Sequence, residues 1–269
     1  MITRLLILLL ICSCIESAAQ TDSVFHFEKA YPGASADFTV DNLGYLYILS
    51  QNGQLKKLRP NGDSMAVFNN VRKFGKVFSF DVSNPLKLLL YYKDFGTIVI
   101  LDRLLNSRST LDLRKENLLQ VKAVGQSYDN NIWVFDEIES KLKKIGDDGK
   151  IIDQSSDFRM IFDTMPSPEY IIDQDKFVYL YDPAKGVYIF DYYGGFQRRI
   201  PFRGWLDFKV INKTLFGRDD KFLYRYEPGS LQLQQYQMPS FMLTAQKIII
   251  APGYLYLLQE DSIRVYSFK

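Results

Sequence analysis

The sequence has almost no histidine or cysteine. Its 269 residues include one His and two Cys, and both cysteines, Cys12 and Cys14, stand near the start of the chain. The chain therefore lacks nearly all the residues needed for a clustered His/Cys metal site or for a Cys–His or Ser–His catalytic pair. The formal charge is only +2, because 33 Lys and Arg oppose 31 Asp and Glu. We expect no nucleic-acid partner, since general nucleic-acid binders carry a much stronger positive field.

Apolar and aromatic residues, by contrast, are abundant. The chain is 47% hydrophobic and 15% aromatic, which is ample for a sizeable core and excludes disorder as the main state. No run reaches the roughly 18 uncharged apolar residues that a membrane-spanning helix needs. We therefore expect one folded domain, residues 20–269, behind a short leader.

The first 19 residues have the pattern of a secretory signal peptide. Arg4 precedes an apolar run, residues 5–12, and the small residues Ala18 and Ala19 follow. Cleavage after Ala19 would leave a mature chain without cysteine. The ending resembles signal peptides of exported bacterial proteins, so we expect a periplasmic or outer-membrane-associated location.

A second interpretation of the same segment is a lipoprotein signal. Residues 11–14 resemble a degenerate lipobox, in which Cys14 is lipidated and tethers the chain to a bacterial membrane. Alternatively, both cysteines are ordinary apolar members of the signal sequence. Both interpretations export the protein, and a lipid anchor on Cys14 is its one expected contact with a membrane.

After residue 20 the sequence predicts an all-β fold built from repeats. Short aromatic and aliphatic runs alternate with turn signals. Residues 41–63 are echoed by residues 128–150, where a turn, an aromatic strand, a second turn and a Leu-Lys-Lys strand follow in the same order. Looser copies give six repeats with a period of about 42 residues, which fits four strands per propeller blade.

The two ends of the chain predict how the ring closes. The last repeat ends at Lys269 after three strands, whereas residues 23–29 form an unassigned strand at the other end. We expect Val24, Phe25 and Phe27 to supply the missing outer strand of the sixth blade and to hide two sheet edges. His26 belongs to this closure.

The repeats resemble those of six-bladed NHL-like and TolB-like β-propellers. The resemblance rests on the opening Asp41, Gly44, Tyr45 and Tyr47 and the closing Gly62 of the first repeat. It implies a propeller of four-stranded antiparallel blades without implying any particular chemistry, because the same frame carries enzymes, receptors and scaffolds. The function must therefore be sought in the loops.

The loops that enter the innermost strands combine basic and large apolar residues, which are the types that dominate binding energy at interfaces. The alternative is that the basic residues are merely solvated and the aromatic ones are core. The predicted binding residues are Arg72, Lys73, Phe74, Arg114, Lys115, Arg159, Phe162, Arg203, Trp205 and Phe241.

Three carboxylates near the starts of inner strands form a second candidate site. Asp37, Glu169 and Asp207 occupy the same sequence register in three repeats. Carboxylate oxygens around one channel mouth could hold Ca²⁺. Alternatively, these carboxylates accept hydrogen bonds from neighbouring strands.

These observations favour an exported, non-catalytic binding or assembly module of a bacterial cell envelope, with an envelope protein as partner and without a cofactor. We expect a monomeric propeller within a complex. The alternatives are a calcium-dependent, lactonase-like hydrolase and a sensor of a small ligand or glycan.

Overall fold

The computed structural model describes residues 24–268, which form six four-stranded antiparallel sheets. The predicted signal peptide and Cys14 lie outside the described residues. The strands in chain order are β1 (Phe25–Pro32), β2 (Ser35–Val40), β3 (Leu46–Ser50), β4 (Leu55–Leu58), β5 (Ser64–Phe68), β6 (Ser79–Asp81), β7 (Leu88–Tyr92), β8 (Thr97–Leu101), β9 (Ser107–Asp112), β10 (Val121–Gln126), β11 (Ile132–Asp136), β12 (Lys141–Ile145), β13 (Ile151–Gln154), β14 (Tyr170–Gln174), β15 (Phe177–Asp182), β16 (Gly186–Asp191), β17 (Phe196–Ile200), β18 (Leu206–Ile211), β19 (Thr214–Arg218), β20 (Phe222–Glu227), β21 (Gln232–Gln237), β22 (Lys247–Ala251), β23 (Tyr254–Gln259) and β24 (Ser262–Phe268).

The sheets are the six blades of a β-propeller, which confirms the predicted fold class. Five blades consist of four consecutive strands, and the sixth has the order β1-β24-β23-β22. Inner strands of neighbouring blades contact one another around the ring. One α-helical turn and four 3-10 turns interrupt the loops of the described chain: Val71–Phe74, Lys93–Phe95, Leu113–Glu116, Phe158–Met160 and Ser240–Met242.

The apolar runs of the sequence become the middle strands of the blades. All five residues of β7 are buried, and so are all five of β8 and all five of β11. A strand covered on one face would alternate apolar and polar residues, but the neighbouring blades cover both faces here, so the runs are continuous. Six apolar clusters fill the spaces between the blades.

One glycine shows how closely two blades approach each other. Gly125 lies in the inner strand β10, and a Cβ at this position would come 2.4 Å from the carbonyl oxygen of Ile171 in β14. Any larger residue would have to push the backbones of the third and fourth blades apart.

The ring is closed by the N-terminal strand, as the sequence predicts. β1 pairs antiparallel with β24 from Phe25↔Phe268 to Pro32↔Ser262, with a bulge between Phe27 and Lys29. The strand is longer than predicted and begins at Phe25. His26 pairs opposite Ser267 and lies in this closure. In the described part of the chain, no helix is long and apolar enough to cross a membrane.

A chain that begins at Ala30 should lose cooperative folding. The deletion removes most of β1 and leaves β24 as an exposed edge beside the apolar rings of Phe241 and Tyr266. We expect aggregation, or a fall in melting temperature of at least about 10 °C, whereas ordinary terminal deletions are mild. The control is a chain that begins at Gln20. Equal and cooperative calorimetric transitions for both chains would refute the closure.

Candidate functional site

Six connections run from the outer strand of one blade to the inner strand of the next. Because each inner strand begins where such a connection ends, all six reach the same end of the central channel, which we call the entry end. The turns between the second and third strands of the blades lie at the entry end as well. The six connections are residues 33–34, 69–78, 113–120, 155–169, 201–205 and 238–246.

The aromatic members of the predicted binding set belong to the packing between blades. Trp205 is only 7% exposed and stacks between Phe202 and Tyr224. Phe74 is equally buried and packs against Tyr92. These rings fill space between two blades, so they are not presented to a partner.

The other two predicted rings are also packed into the molecule. Phe162 contacts Phe158 and Phe196, and Phe241 contacts Tyr266. Both are half-buried. Apolar side chains in connections between blades can pack into the gap between the two sheets. The sequence pattern does not distinguish such buried side chains from exposed ones.

The basic members of the predicted set are exposed at the entry end. All six, namely Arg72, Lys73, Arg114, Lys115, Arg159 and Arg203, are exposed. The Arg114 guanidinium donates to the Asp94 carbonyl at 2.7 Å, and that of Arg159 pairs with Asp157 at 2.6 Å. Arg114 is therefore held by a turn of the second blade, and Arg159 by its own connection.

Direct contacts join the loops of the first three blades into one continuous surface. The Phe95 ring lies against Gly75, where a Cβ would come 3.0 Å from it. The Gln120 side chain donates to the Glu137 carboxylate at 2.7 Å. The Arg159 guanidinium reaches the Glu139 carbonyl at 3.4 Å. With the Arg114–Asp94 bond, these contacts connect residues 72–78, 93–96, 113–120, 137–141 and 157–163, which we call the loop arc.

The loop arc exposes large apolar side chains that the sequence analysis largely missed. Their exposed fractions run from 38% to 85%, and they are Phe78, Phe95, Leu119, Ile138, Met160 and Ile161. In the described part of the chain, the corresponding loops of the other three blades expose one large apolar side chain, Leu243. Phe95 and Ile138 lie in turns within blades, so a search that had included those turns could have found them.

Each inner strand has one residue at an equivalent register near the mouth of the channel, which we call the ring position. These residues pair with equivalent residues of the second strands of their blades. They are Asp37, Ser79, Ala123, Tyr170, Leu206 and Lys247.

Of the three predicted carboxylates, only Asp37 occupies a ring position. Glu169 directly precedes β14, and Asp207 lies in a bulge between Leu206 and Lys209. A bulge inserts an unpaired residue and shifts the register, so repeats that align in sequence do not align in pairing.

Protein cations neutralise two of the three carboxylates. The Asp37 carboxylate pairs with the Lys247 ammonium at 2.7 Å. The Asp207 carboxylate accepts from Arg218 Nε at 2.6 Å and from the Ile248 backbone N–H at 2.7 Å. Among residues 24–268, no three His, Cys, Asp or Glu side chains are close enough to hold a metal ion. The Asp37 and Asp207 carboxylates instead join neighbouring blades to each other.

The negative charges of all three carboxylates act on the pKa of the Tyr170 hydroxyl at the channel mouth. Although 44% of the residue's surface is exposed, desolvation is the main cause that raises its pKa to about 12, and the negative charges of Glu169, Asp207 and Asp37 raise it further. The mouth therefore carries a phenol that stays protonated at neutral pH and can both donate and accept hydrogen bonds.

Two open clefts adjoin these features. A cleft of about 250 Å³ lies between the first two blades and is lined by residues including Asp37, Lys76 and Phe78. A second cleft, of about 400 Å³, runs along residues 159–163 and Met165. Both belong to the entry end, and the second lies within the loop arc except for Met165.

Known structures share this fold at low sequence identity. Virginiamycin B lyase from Staphylococcus aureus is 12% identical, with a TM-score of 0.66 over 91% of this chain and 100% of that chain. A protein described as exported, from Bacteroides fragilis NCTC 9343, is 11% identical, with a TM-score of 0.57 over 93% of this chain and 96% of its own. The extracellular domain of a hybrid two component system from B. thetaiotaomicron is 12% identical, with a TM-score of 0.57 over 87% and 33%. These likenesses show the propeller fold. No protein-family model and no curated protein matches the sequence.

Replacement of Arg218 should strongly destabilise the ring. Arg218 is 3% exposed and also donates to the carbonyl oxygens of Ala245 and Gln246 at 3.1 and 3.0 Å. Arg218→Ala leaves the Asp207 carboxylate without its cation, so we expect a loss of about 3–5 kcal/mol in urea unfolding. The control Arg225→Ala removes a half-exposed pair with Glu227 and should cost less than about 1 kcal/mol. Equal costs would contradict the assigned role of Arg218.

Tyr170 should make stability fall in alkali. Its pKa is raised to about 12 in the folded chain from its ordinary value of 10.0, so the unfolded chain loses this proton first. The stabilisation is complete below pH 10 and disappears as the pH rises towards 12. We expect Tyr170→Phe to reduce the slope of this part of the stability profile, to which other tyrosines with raised pKa values also contribute, and to remove one phenolate with a raised pKa from the absorbance titration. If the phenolate that is lost from the titration is instead one that ionises near pH 10, Tyr170 ionises normally and the assignment is wrong.

Proposed function

We propose that the protein is an exported, non-catalytic binding or assembly module of a bacterial cell envelope, which docks a protein partner on the loop arc. The observation that carries this proposal is the concentration of exposed apolar side chains on one half of the entry end. Six such side chains lie on contacting loops, and a monomeric protein seldom leaves a continuous apolar surface in water without a binding role.

The charges on the loop arc indicate the chemistry of the partner. Arg72, Lys73, Lys76 and Lys93 have no carboxylate within ion-pair distance among the described residues. The Lys93 ammonium lies 4.9 Å from the centre of the exposed Phe78 ring, so cation and aromatic side chain form one feature. A partner with acidic residues around apolar anchors complements this surface, and its carboxylates would speed the encounter.

The sequence supports the finer parts of this proposal. The Asp41, Gly44, Tyr45 and Tyr47 pattern favours the NHL-like or TolB-like kind of propeller. Export is supported by the pattern of residues 1–19 and by structural neighbours described as exported or extracellular. Cys14 provides the lipid anchor in the lipoprotein form of the proposal, and otherwise the chain is released after Ala19.

An enzymatic function is the second candidate, since lyases are among the structural neighbours. One neighbour is described as a catalytically inactive His-to-Ala variant of virginiamycin B lyase with quinupristin. The single histidine of this chain, His26, lies exposed in the outermost strand β1 and pairs opposite Ser267. A reaction at the channel mouth would therefore have to use other groups, and the hydrolase alternative would need carboxylates that are ion-paired here. These points favour the binding module.

The proposal predicts that charge introduced into the loop arc abolishes partner capture. Met160→Asp combined with Ile138→Asp places two carboxylates where the partner must bury apolar surface. We expect the loss of specific envelope proteins from cross-linked affinity purifications of the native host, with at least a tenfold reduction. Both side chains are more than half exposed, so the melting temperature should stay within a few degrees.

The matched control is Leu231→Asp, which changes an equally exposed apolar residue in the turn between β20 and β21. It should retain the same partners. Retention by the double variant would contradict docking on the loop arc. A melting temperature that rises with calcium chloride and returns with chelator would support the hydrolase instead.

A further inference from the structure

Three tyrosines lie in turns within the third and fourth blades, outside the loop arc. Tyr128 lies in the turn between β10 and β11, and Tyr192 and Tyr193 lie in the turn between β16 and β17. The rings of Tyr128 and Tyr192 stack with centroids 4.2 Å apart and planes 18° apart. We call these three residues the tyrosine platform.

The platform leaves much aromatic surface in water. Tyr193 is 83% exposed and Tyr128 is 62% exposed. The other tyrosines of the third and fourth blades are buried or half-buried apart from Tyr170 at the channel mouth, so the exposure at the platform is local. An aromatic side chain that remains exposed loses the large gain of burial, which an apolar ligand face could restore.

The platform is held rigid before any ligand arrives. The Asp191 carboxylate accepts from the backbone N–H groups of Tyr193 and Gly195 at 2.9 and 2.8 Å, which fixes the turn. The Tyr192 hydroxyl accepts from the Lys176 backbone N–H at 2.8 Å and fixes the ring under Tyr128. Gly194 has a φ of +76° and packs against the Ser155 backbone of the preceding blade. A ligand would therefore order little on binding.

Polar groups flank the rings. The Asn130 amide accepts from Asn84 at 2.9 Å through its oxygen, which leaves its Nδ2 as a donor. The Gln197 amide donates to Asp191 at 3.0 Å, which leaves its Oε1 as an acceptor. The site thus combines the exposed rings of Tyr193 and Tyr128 with neutral hydrogen-bonding groups in the same turn or in the adjoining strand.

We propose that the tyrosine platform binds a neutral carbohydrate chain. A pyranose ring has a face of C–H groups that packs on an aromatic ring, and hydroxyls at its edge that need donors and acceptors such as Asn130 and Gln197. The site does not depend on the docking function proposed for the loop arc.

The charges near the platform favour a neutral ligand over an anionic one. The Lys144 ammonium lies 5.7 Å from the Tyr128 ring centre, but it is paired with the Asp129 carboxylate at 3.2 Å. The Lys87 ammonium donates to the Asn130 carbonyl oxygen and is likewise paired, with the Asp147 carboxylate. Asp175 and Asp191 stand in or beside the two neighbouring turns, where Lys176 is a further cation. Single-stranded nucleic acid also stacks on aromatic rings, but it needs a positively charged groove along its backbone.

Affinity gel electrophoresis tests the proposal with the mature protein and three soluble neutral polysaccharides: galactomannan, xyloglucan and amylopectin. We expect retardation by at least one of them, and at least a tenfold weaker affinity for Tyr193→Ala. Tyr193→Phe keeps the aromatic face and should bind within about threefold of the wild type. Tyr236→Ala removes a half-exposed tyrosine on β21 in another blade and should bind normally.

Tyr128→Ala should also weaken binding, but it removes a stacked ring and is interpreted only if its melting temperature is retained. Tyr193 lies at a turn tip, so its variant decides the matter if the other fails to fold. The proposal is overturned if none of the three polysaccharides retards the wild type, or if Tyr193→Ala binds as well as the wild type. Binding of an oligothymidine alone, measured by fluorescence anisotropy, would likewise overturn it in favour of a nucleic-acid site.

Discussion

The pairing of β1 with β24 is the interaction on which the rest of the structure depends. A propeller blade exposes two sheet faces, and each face is covered only when a neighbouring blade stands beside it. The blades that lie at the two ends of the chain can become neighbours only if the ring closes. Seven register pairs between β1 and β24 provide that closure and also cover an edge of the last sheet. The entirely buried strands β7, β8 and β11 are possible because every blade then has two neighbours.

Carboxylates of the inner strands accept hydrogen bonds from neighbouring blades and so connect the blades of the closed ring. Asp81 accepts from the Gln126 backbone N–H at 2.8 Å. Asp173 accepts from the Trp133 indole N–H at 2.9 Å, and burial raises the pKa of its carboxyl. Asp37 and Asp207 make the corresponding contacts to the sixth blade. A carboxylate can accept from several donors of a neighbouring blade, so acidic residues at either end of an inner strand can have a structural role. This explains how the sequence could suggest a metal site where the fold uses inter-blade contacts.

The sequence was most informative where the physical cause was local and repeated. Turn residues, apolar runs and the period of the repeats were enough for the blade number, and the unpaired N-terminal strand was enough for the closure. It was least informative where the outcome depended on which blade a side chain meets. Trp205 and Asp207 show the two failures: the first is covered by Phe202 and Tyr224 of adjoining segments, and the second is moved out of register by a bulge. The amino-acid sequence alone does not show which neighbouring side chain will cover a residue, or where a strand will contain a bulge.

The loops of the propeller are of two kinds, because some connect one blade to the next and others connect strands within one blade. At the entry end, connections of up to 15 residues must pass from one blade to the next, and their length leaves apolar side chains such as Met160 beyond the cover of the sheets. The turns between the first and second strands and between the third and fourth strands of a blade are short, so an exposed ring such as Tyr193 is held by turn geometry rather than by packing. Broad apolar surface on longer connections suits a partner that covers an area, whereas rigid isolated rings suit a ligand with a flat face. A single closed ring can therefore present two independent surfaces without any change in its core.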